Sequence, residues 1–350
     1  MAAVAAVPVE TDAVVVGAGP VGLFQVFQLG LQEIGAHVVD SLPHPGGQCV
    51  ELYGDKPIYD IPGIAVCTGQ ELATRLLAQI EPFAATFHYG QVVSSLQKQA
   101  DGRFLLGTSR GTQLLARTVF IAAGVGAFQP RTLKVDGLER FARTQVFYTG
   151  DALPDLAARN VVVLGDDDEA LRAAMRLAQA ASVTLVHRRD AFRAEPATVL
   201  EMRAQVDAGR MRFAAGQPVG IEEAGDRLAA LRIALPDGGT SSLPADAVVA
   251  LLGLSPKLGP VAQWGLELER KQLKVDTEQF STSEPGIFAV GDVNTYPGKK
   301  KLILCGFHEA TLAAFGAAAI VHPGREIHLQ YTTTSPRLHK LLGVATPPID

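Results

Sequence analysis

The chain has 350 residues, enough for two domains and a large buried core. Hydrophobic residues make up 47% and charged residues 19%, and the 35 glycines are typical of an α/β protein rather than a disordered chain. The formal net charge of -5 gives no electrostatic reason to expect nucleic-acid binding.

The three cysteines are too few and too scattered for a disulfide framework or a four-ligand zinc site, so we expect no metal and a reducing compartment. No run of apolar residues approaches the length needed to cross a bilayer. The N-terminus carries no Lys or Arg before its apolar stretch, which argues against a signal peptide. We therefore expect a cytoplasmic protein without a membrane span.

Residues 11–40 read as a complete strand–helix–strand unit. A β-branched strand runs into Gly17, Gly19 and Gly22, and an apolar helical pattern and a second strand follow. In such a turn Gly17 permits the tight bend, Gly19 lets the backbone approach a pyrophosphate, and Gly22 lets helix and strand pack closely. Asp40, at the end of the second strand, lies where an acid accepts hydrogen bonds from a ribose diol. The unit predicts a dinucleotide site.

Residues 41–63 are rich in Gly and Pro and show neither helical nor strand periodicity. A long loop of this kind beside a cofactor site is usually functional. After it the sequence predicts an amphipathic helix at 70–80, strands over 87–106 with a turn at 101–102, and a strand at 118–122 that ends in two small residues.

A second strand–helix–strand unit begins at Asn160 and repeats the first, which implies a second dinucleotide. Its strands are predicted at 161–164 and 183–187 and its helix at about 170–181. Arg188 stands at the same offset from Gly165 as Asp40 does from Gly17. A carboxylate suits a free ribose 2′-hydroxyl, whereas a guanidinium suits a 2′-phosphate.

We therefore interpret His187, Arg188 and Arg189 as a selector for NADP over NAD. The alternative interpretation is a solvated basic strand end, which is common for isolated Lys or Arg. The shared register of the two units favours the selector.

The turn of the second unit, GDDDEA at 165–170, keeps only the first glycine. Asp167 takes the place of Gly19, so a carboxylate is predicted where a pyrophosphate should approach the backbone. Two unit charges about 4 Å apart repel by about 4 kcal/mol at an effective dielectric of about 20, or nearly a thousandfold in affinity. Acids at a helix N-terminus stabilise the helix. Together with Asp166 and Asp168, this acid is expected to make a stable turn that holds phosphate poorly.

The last third of the chain returns to the first domain. An apolar strand at 244–253 precedes a hinge at 254–256, and a further strand is predicted at 272–275. A buried strand then ends in Gly291-Asp292, and a helical pattern follows at 308–321. An Asp in this place is suited to bond a ligand hydroxyl, and the alternative is a helix cap or a turn.

With these residues assembled, the chain resembles the two-dinucleotide flavoprotein reductases, and most closely the thioredoxin-reductase-like ferredoxin–NADP reductases. The resemblance covers nearly the whole chain. It rests on four motifs: GAGPVGL at 17–23, GGQCVELYGDKPIYDIPG at 46–63, HRRDAFRAEP at 187–196, and GDVNTYPGKKKLILCGFHEATLA at 291–313. The last is the most specific, because generic pyridine-nucleotide flavoproteins share only its Gly-Asp.

This resemblance implies an α/β fold with two Rossmann-like dinucleotide-binding domains. The NADP-binding domain, 126–253, is inserted into a discontinuous FAD-binding domain, 1–125 and 254–350. The segment YTTTSPRLHKLLGV at 331–344 fits the family's C-terminal tail, here 331–350, which covers the flavin in a homodimer.

The resemblance also implies roles for single residues. Asp40 would hold the adenosine ribose, and Asp292 would bond the ribityl chain of FAD. Gln48 and Tyr53 would contact the flavin, with Tyr53 stacked on the ring. Three further roles come from resemblance alone, and they are an adenine contact through the backbone near Val93, a place in the FAD site for Phe128, and an approach to the isoalloxazine by Thr333. The residues predicted for NADP are Gly165, His187, Arg188 and Arg189.

The cysteines exclude disulfide reduction by a dithiol of this chain. Thioredoxin reductases need a C-x-x-C, which is absent from this sequence. The glutathione-reductase type needs two cysteines five positions apart, and the residue five positions after Cys49 is Gly54. Cys49, Cys67 and Cys305 are therefore expected to be ordinary small, mostly buried residues. Electrons that reach the flavin must then leave directly to an external acceptor.

The function implied is that of a reductase in which FAD takes a hydride from NADPH and releases single electrons to ferredoxin or flavodoxin. The protein would hold the nicotinamide C4 against flavin N5, so no catalytic side chain is expected. Lys299, Lys300 and Lys301 would attract an acidic ferredoxin or be solvated surface. The alternative function is an FAD-binding module, non-catalytic or fed from elsewhere, whose acidic turn has impaired its NADP(H) site. The retained basic selector argues against full loss of that site.

Overall fold

The computed structural model describes residues 7–150, 153–326 and 331–345. The chain divides into two compact units: unit 1 is Met1–Ala127 with Lys257–Asp350, and unit 2 is Phe128–Pro256. Each unit is built on a largely parallel sheet with a strand–helix–strand crossover. The predicted α/β class with two Rossmann-like domains is confirmed.

The elements have the following bounds. The helices are α1 (Pro20–Leu31), α2 (Gly47–Glu51), α3 (Gly69–Ile80), α4 (Asp168–Leu177), α5 (Pro196–Asp207), α6 (Ile303–Val321) and α7 (Pro336–Leu342). The strands are β1 (Val9–Val16), β2 (Ala36–Val39), β3 (Pro57–Ile58), β4 (Cys67–Thr68), β5 (Thr86–His88), β6 (Val93–Lys98), β7 (Phe104–Thr108), β8 (Gln113–Ile121), β9 (Ala127–Pro130), β10 (Val146–Phe147), β11 (Asn160–Leu164), β12 (Ser182–His187), β13 (Arg212–Ala215), β14 (Gln217–Ala224), β15 (Arg227–Ala234), β16 (Thr240–Pro244), β17 (Ala247–Ala250), β18 (Leu254–Lys257), β19 (Leu268–Glu269), β20 (Gln272–Lys274), β21 (Ile287–Ala289) and β22 (Asn294–Thr295).

The main sheet of unit 1 has the order β5-β2-β1-β8-β7-β6, and β21 also pairs with β8. Strands β1, β2, β8 and β21 run parallel, and their last residues are in register: Val16 lies beside Val39 and Ile121, and Ile121 lies beside Ala289. The carboxyl ends of parallel strands share one edge of a sheet, which is where ligands bind in such folds. The residues that follow these four strands therefore meet at one edge.

The loop at 41–63 contains more regular structure than its composition predicts. It includes the one-turn helix α2 and strand β3, which pairs antiparallel with β4. Both elements are too short to produce a periodic pattern, so the prediction of an irregular loop was wrong here. Helix α3 was predicted correctly, and a capping box made by Thr68 and Glu71 fixes its start.

Helix α6 begins at Ile303 rather than at His308, and an 18-residue stretch of it has a mean hydropathy of 1.5. By length and composition it is long enough to cross a membrane, so the prediction that no run approaches that length was wrong. The helix packs against α1 and β8, and it carries the fully buried Glu309. Its central small residues are buried within unit 1, whereas Leu304 and Ile320, near its two ends, are exposed.

The main sheet of unit 2 is parallel throughout, in the order β10-β17-β11-β12-β13. One face packs on α4 and α5, and the other packs on the antiparallel sheet β14-β15-β16, which the sequence did not predict. The strand predicted at 244–253 is divided between β16 and β17. Leu164 lies beside Val186 and Ala250, so Gly165 and His187 meet at one edge of this sheet.

Candidate dinucleotide sites

In the glycine turn of unit 1, two glycines are required by the fold and the third leaves space for a ligand. A Cβ on Gly17, whose φ is +113°, would lie 2.5 Å from the carbonyl oxygen of Ala122, and one on Gly22 would lie 1.9 Å from that of Gly17. The fold itself therefore requires these two glycines. Gly19 has a φ of -70°, and a Cβ there would find its nearest neighbour, the Cα of Gly47, at 4.0 Å. The space beside Gly19 is thus open, as a diphosphate would need.

A second pair of glycines lies against this turn. Gly46 donates its N–H to the carbonyl oxygen of Ala18 at 2.8 Å, and a Cβ on Gly47 would lie 3.0 Å from the Cα of Gly19. Both have positive φ, +110° and +53°, which favours glycine. The predicted loop and the predicted turn therefore form one continuous cradle of backbone.

Asp40 is buried at the edge of the sheet. Its Oδ2 accepts the N–H of Ala18 at 2.5 Å and its Oδ1 accepts the N–H of Leu42 at 2.8 Å. Burial raises the pKa of this carboxyl, and the two N–H donors oppose that rise. A carboxylate has about four acceptor positions, so Asp40 keeps lone pairs for a ribose diol.

Gln48 and Tyr53 lie on the same side of unit 1. The Nε2 of Gln48 would be 2.8 Å from a Cβ on Gly124, whose φ is +60°, so the amide lies against the small residues after β8. The Tyr53 ring is half-exposed, which leaves it free to stack on a ligand. Burial raises its pKa, and the nearby Cys49 and Asp292 raise it further.

Asp292 does not cap a helix. It lies in the short 3-10 turn Gly291–Val293, whereas the N-cap of α6 is Leu302, so the alternative of a helix cap was wrong and that of a turn agrees with the structure. Its half-buried carboxylate accepts no hydrogen bond from any residue that the structure describes. Burial raises its pKa, while Lys299 and Lys301 lower it. The side chain is therefore available to a ligand.

The thiols fit the expectation of ordinary buried cysteines. Cys49 and Cys67 are buried, and burial raises the pKa of Cys49 to about 11. A thiol in this state is almost fully protonated near neutral pH and reacts poorly. In the described ranges of the chain, no group of His, Cys, Asp and Glu could hold a metal ion.

Lys299 differs from the other two lysines of its run. Its side chain is only 7% exposed and pairs with Glu309, whereas Lys300 and Lys301 are exposed. The expectation that all three lysines face a partner or solvent was therefore wrong for Lys299. Glu309 was not predicted as its partner, because it lies inside an apolar helical pattern.

Val93 and Phe128 were also predicted to lie in the FAD site. Val93 is buried at the start of β6, and Gln91, two residues earlier, donates its N–H to the carbonyl oxygen of Asp40 at 2.9 Å. This bond keeps the segment beside the expected adenosine position. The side chain of Phe128 lies outside the described residues.

The tail docks on its own chain at the far end of α1. Arg337 donates to the carbonyl oxygen of Gly30 at 2.9 Å, and His339 bonds the carbonyl oxygen of Thr332 at 3.0 Å. Gly30 lies in the last turn of α1, whereas the glycine turn lies at its start. Thr333 is exposed and lies in the short 3-10 turn Thr332–Thr334 that precedes α7. Residues 346–350 of the predicted tail lie outside the described part.

In unit 2, Gly165 is required by the fold. A Cβ there would lie 2.3 Å from the Cβ of Ala170 and 2.4 Å from the carbonyl oxygen of Leu251. Asp167 is the N-cap of α4, and its Oδ1 accepts the N–H of Ala170 at 3.1 Å. Gly19 is the N-cap of α1, so the two residues occupy equivalent places. The carboxylate of Asp167 therefore sits at a helix N-terminus that would otherwise offer its N–H groups to phosphate.

The other two acids of the turn hold neighbouring segments. Asp166 makes a two-point ion pair with Arg193, at 2.9 and 2.7 Å, which lowers its pKa. Asp168 accepts the Thr198 hydroxyl at 2.6 Å and the N–H of Glu195 at 3.1 Å. Arg193 was not predicted as a partner, although it lies inside the motif HRRDAFRAEP.

The predicted selector lies at the end of β12. His187 bonds the carbonyl oxygen of Arg189 through Nδ1 at 3.0 Å, and its Nε2 lies 3.6 Å from Asp166. The side chains of Arg188 and Arg189 are exposed, and neither makes a hydrogen bond or ion pair with a described residue. Both guanidinium groups are therefore free to bind an anion.

Comparisons with known proteins agree on the family. Residues 11–312 match the family described as pyridine nucleotide-disulphide oxidoreductase. The chain is 62% identical to a ferredoxin--NADP reductase of Albidiferax ferrireducens over 98% of both chains. It is 60% identical to the ferredoxin--NADP reductase of Polaromonas sp. (strain JS666), over 98% of this chain and 95% of that protein.

Among solved structures, the chain is similar to the bacillithiol disulfide reductase of Staphylococcus aureus, with a TM-score of 0.57 and 16% identity over 89% of this chain and 99% of that one. It is also similar to the thioredoxin reductase of Lactococcus lactis, with a TM-score of 0.52 and 23% identity over 89% and 99%. At these identities the likeness concerns the fold alone. The motifs, the family match and the two relatives at about 60% identity carry the assignment: the chain belongs to the pyridine nucleotide-disulphide oxidoreductase family, among its thioredoxin-reductase-like ferredoxin–NADP reductases.

Proposed function

We propose that this protein passes electrons between NADP(H) and a one-electron carrier protein, ferredoxin or flavodoxin, through bound FAD. As a member of its family it is a flavoprotein oxidoreductase that uses FAD and NADP(H). One observation most strongly supports the choice of FAD for one unit and NADP(H) for the other. The two strand–helix–strand units are followed by groups of opposite charge, the buried Asp40 and the free Arg188. A carboxylate suits a ribose diol, and a guanidinium suits a 2′-phosphate.

We assign FAD to unit 1, where the residues present fit it. The open space at Gly19 suits the diphosphate, Asp40 the adenosine ribose, and Asp292 the ribityl chain. The exposed ring of Tyr53 suits the isoalloxazine. When bound, FAD supplies the chemistry that side chains lack, because it accepts a hydride at N5 and releases electrons singly. Unit 2, with Gly165 and the selector, is assigned to NADP(H).

The protein's own residues bind and orient, and none is assigned an acid or base role. Cys49 is the thiol beside Asp292, and its raised pKa of about 11 disfavours a thiolate. With no C-x-x-C in the sequence, a dithiol relay is excluded. Electrons therefore leave for an external carrier, and the exposed Lys300 and Lys301 offer positive charge to an acidic one.

We further propose that the protein is a homodimer in the cytoplasm. Arg337 holds the tail at Gly30, which lies ten residues, or about 15 Å, along α1 from Pro20 at the glycine turn. If Thr333 approaches an isoalloxazine, it is that of a second subunit. The few buried thiols suit a reducing compartment.

The test is anaerobic mixing of the purified yellow protein with NADPH and, separately, with NADH, while the visible flavin band is followed. We expect rapid bleaching by NADPH and slow or no bleaching by NADH. The reduced protein should then pass electrons to a [2Fe–2S] ferredoxin or to flavodoxin, and the two carriers are compared at equal concentration. A flavin that stays oxidised with both nucleotides would contradict the assignment.

The second candidate function is a flavin module whose NADP(H) site no longer works. The position of the Asp167 carboxylate at the N-terminus of α4 favours it, because a phosphate would meet a like charge there. It predicts a protein that binds FAD and is not bleached by either nucleotide. The same experiment therefore separates the two functions.

The selector can be tested by Arg188→Gln. We expect NADPH to bind about ten- to a hundredfold more weakly, because one charged hydrogen-bonding group to the 2′-phosphate is lost. NADH, which lacks that phosphate, should be unaffected. The dependence of the bleaching rate on nucleotide concentration gives both affinities.

The matched control is Arg210→Gln, an exposed arginine of unit 2 outside the predicted site. It should leave both affinities unchanged. Equal weakening of NADPH and NADH by Arg188→Gln would show that Arg188 does not read the 2′-phosphate.

A further inference from the structure

Unit 1 contains a buried ion pair that the proposed function does not use. Glu309, on α6, is fully buried, and Lys299 is 7% exposed. Taking two charges out of water costs several kcal/mol per ion, and an apolar pair of similar volume is often as stable. Fold stability alone is therefore a weak reason for these two charges.

The pair holds one turn of the backbone from both sides. Glu309 accepts the N–H of Gly291 through Oε2 at 2.7 Å, and Lys299 donates to the carbonyl oxygen of the same glycine at 2.8 Å. The Oε1 of Glu309 accepts from Lys299 and, at 3.0 Å, from the Tyr296 hydroxyl. Asn294 donates its amide to Oε2 at 2.8 Å. Every hydrogen bond described for the Glu309 carboxylate is thus donated by a residue of the segment 291–299.

Gly291 is the residue before Asp292, and its position is set by packing as well as by charge. Its φ is +79°, and the Val21 side chain would lie 3.4 Å from a Cβ there. A Cβ on Gly306, one turn into α6, would lie 3.4 Å from the Cα of Gly291. The turn is therefore fixed between α1 and α6, while the half-buried carboxylate of Asp292 has no described hydrogen-bond donor.

We propose that Glu309 and Lys299 are positioning residues that hold the Gly291–Asp292 turn so that Asp292 meets the FAD. The proposal rests on the assignment of FAD to unit 1. The pair acts on the two backbone polar atoms of Gly291, and neither charge needs to touch the cofactor.

The test replaces both charges together, with Glu309→Leu and Lys299→Met in one protein. An apolar pair of similar size removes the desolvation penalty of the two charges, which offsets part of the cost of leaving the backbone of Gly291 and the Tyr296 hydroxyl without these partners, so the double variant should still fold at saturating FAD, with a lower unfolding temperature than the parent protein. The turn loses both charged hydrogen bonds, so FAD should leave the holoenzyme about ten- to a hundredfold faster. FAD release on dilution is followed by the rise of flavin fluorescence.

A cycle with Asp292→Asn distinguishes positioning from general loosening. If the pair acts through Asp292, the losses from the double variant and from Asp292→Asn should overlap rather than multiply. Full multiplication of the two effects would overturn the proposal, as would unchanged FAD release in the double variant. If the double variant does not fold, FAD release is compared between two single variants, Lys299→Arg and Glu309→Gln. Lys299→Arg keeps the charge and should retain FAD better than Glu309→Gln.

The matched control is the exposed pair Glu267 and Lys274, 2.9 Å apart in the same unit. Glu267→Leu with Lys274→Met should leave FAD release unchanged. A parent protein that holds no FAD would defeat the proposed function itself, whereas a parent and a double variant that hold FAD equally would defeat only this inference.

Discussion

Gly19→Ala is expected to weaken FAD binding about ten- to a hundredfold while the protein keeps its fold, because the added methyl group enters space that only a ligand would use. The backbone of Gly19 has an ordinary φ of -70°, and the nearest atom to the new Cβ lies 4.0 Å away, at normal contact distance. The protein therefore accommodates Ala without strain. A diphosphate lying against the same backbone would be overpacked, which typically costs about 1–3 kcal/mol.

The matched control is Gly22→Ala, three residues along the same turn. Its Cβ would lie 1.9 Å from the carbonyl oxygen of Gly17, so helix α1 would have to move away from the turn. We expect this variant to unfold at a lower temperature even with excess FAD. Thermal unfolding and flavin fluorescence, measured on both variants, separate the two effects. Normal FAD binding by Gly19→Ala would show that the diphosphate does not lie at this turn.

The two glycine turns were predictable because a positive φ is a local requirement, although the carbonyl oxygens that exclude a Cβ, those of Ala122 and Leu251, come from distant segments of the chain. Gly17 and Gly165 each stand between a parallel strand and a helix, and their φ values of +113° and +155° favour glycine. The equivalence of Gly19 and Asp167 was also readable from the register, and both residues are helix N-caps in the structure. The equivalent positions of such turns can therefore be predicted without knowledge of the tertiary fold.

The partners of the charged residues were not predictable. The three acids of the second turn looked like one block of charge, yet Asp166 binds Arg193, Asp167 caps α4, and Asp168 holds Thr198 at the start of α5. These pairings depend on where a distant segment returns to the turn. A run of like charges contains no information on which of its members will find a partner.

Burial was misjudged for the same reason. Lys299 stands in a run of three lysines and would be assigned to the surface by composition, but Glu309 of α6 lies opposite it in the core. The apolar pattern of α6 concealed this single acid. The antiparallel sheet β14-β15-β16 escaped prediction because its outer strands are mostly exposed and lack a clear alternation of apolar residues.

Asp167→Gly is expected to tighten NADPH binding by tens- to about a thousandfold, because it removes the carboxylate from the N-terminus of α4. The helix loses a side-chain cap, but glycine is tolerated at an N-cap at a cost of only a few tenths of a kcal/mol. Gly19 shows the same arrangement in unit 1, where α1 starts without a side-chain cap. Calorimetric titration of the oxidised protein with NADP+ measures the change without reducing the flavin, because NADP+ carries the same diphosphate and 2′-phosphate as NADPH.

Asp167→Asn separates the charge from the space that the side chain fills. Asn keeps the oxygen that accepts from Ala170 and removes the negative charge, so its affinity for NADP+ should fall between those of the parent and of Asp167→Gly. Asp155→Asn, an exposed acid of unit 2, should have no effect. If affinity is unchanged in all three variants, the carboxylate already avoids the phosphate, and the acidic turn is no obstacle to reduction by NADPH. If it rises as expected, the free Arg188 and Arg189 bind the nucleotide against the repulsion of Asp167, and the turn, rather than the selector, limits the affinity of this site.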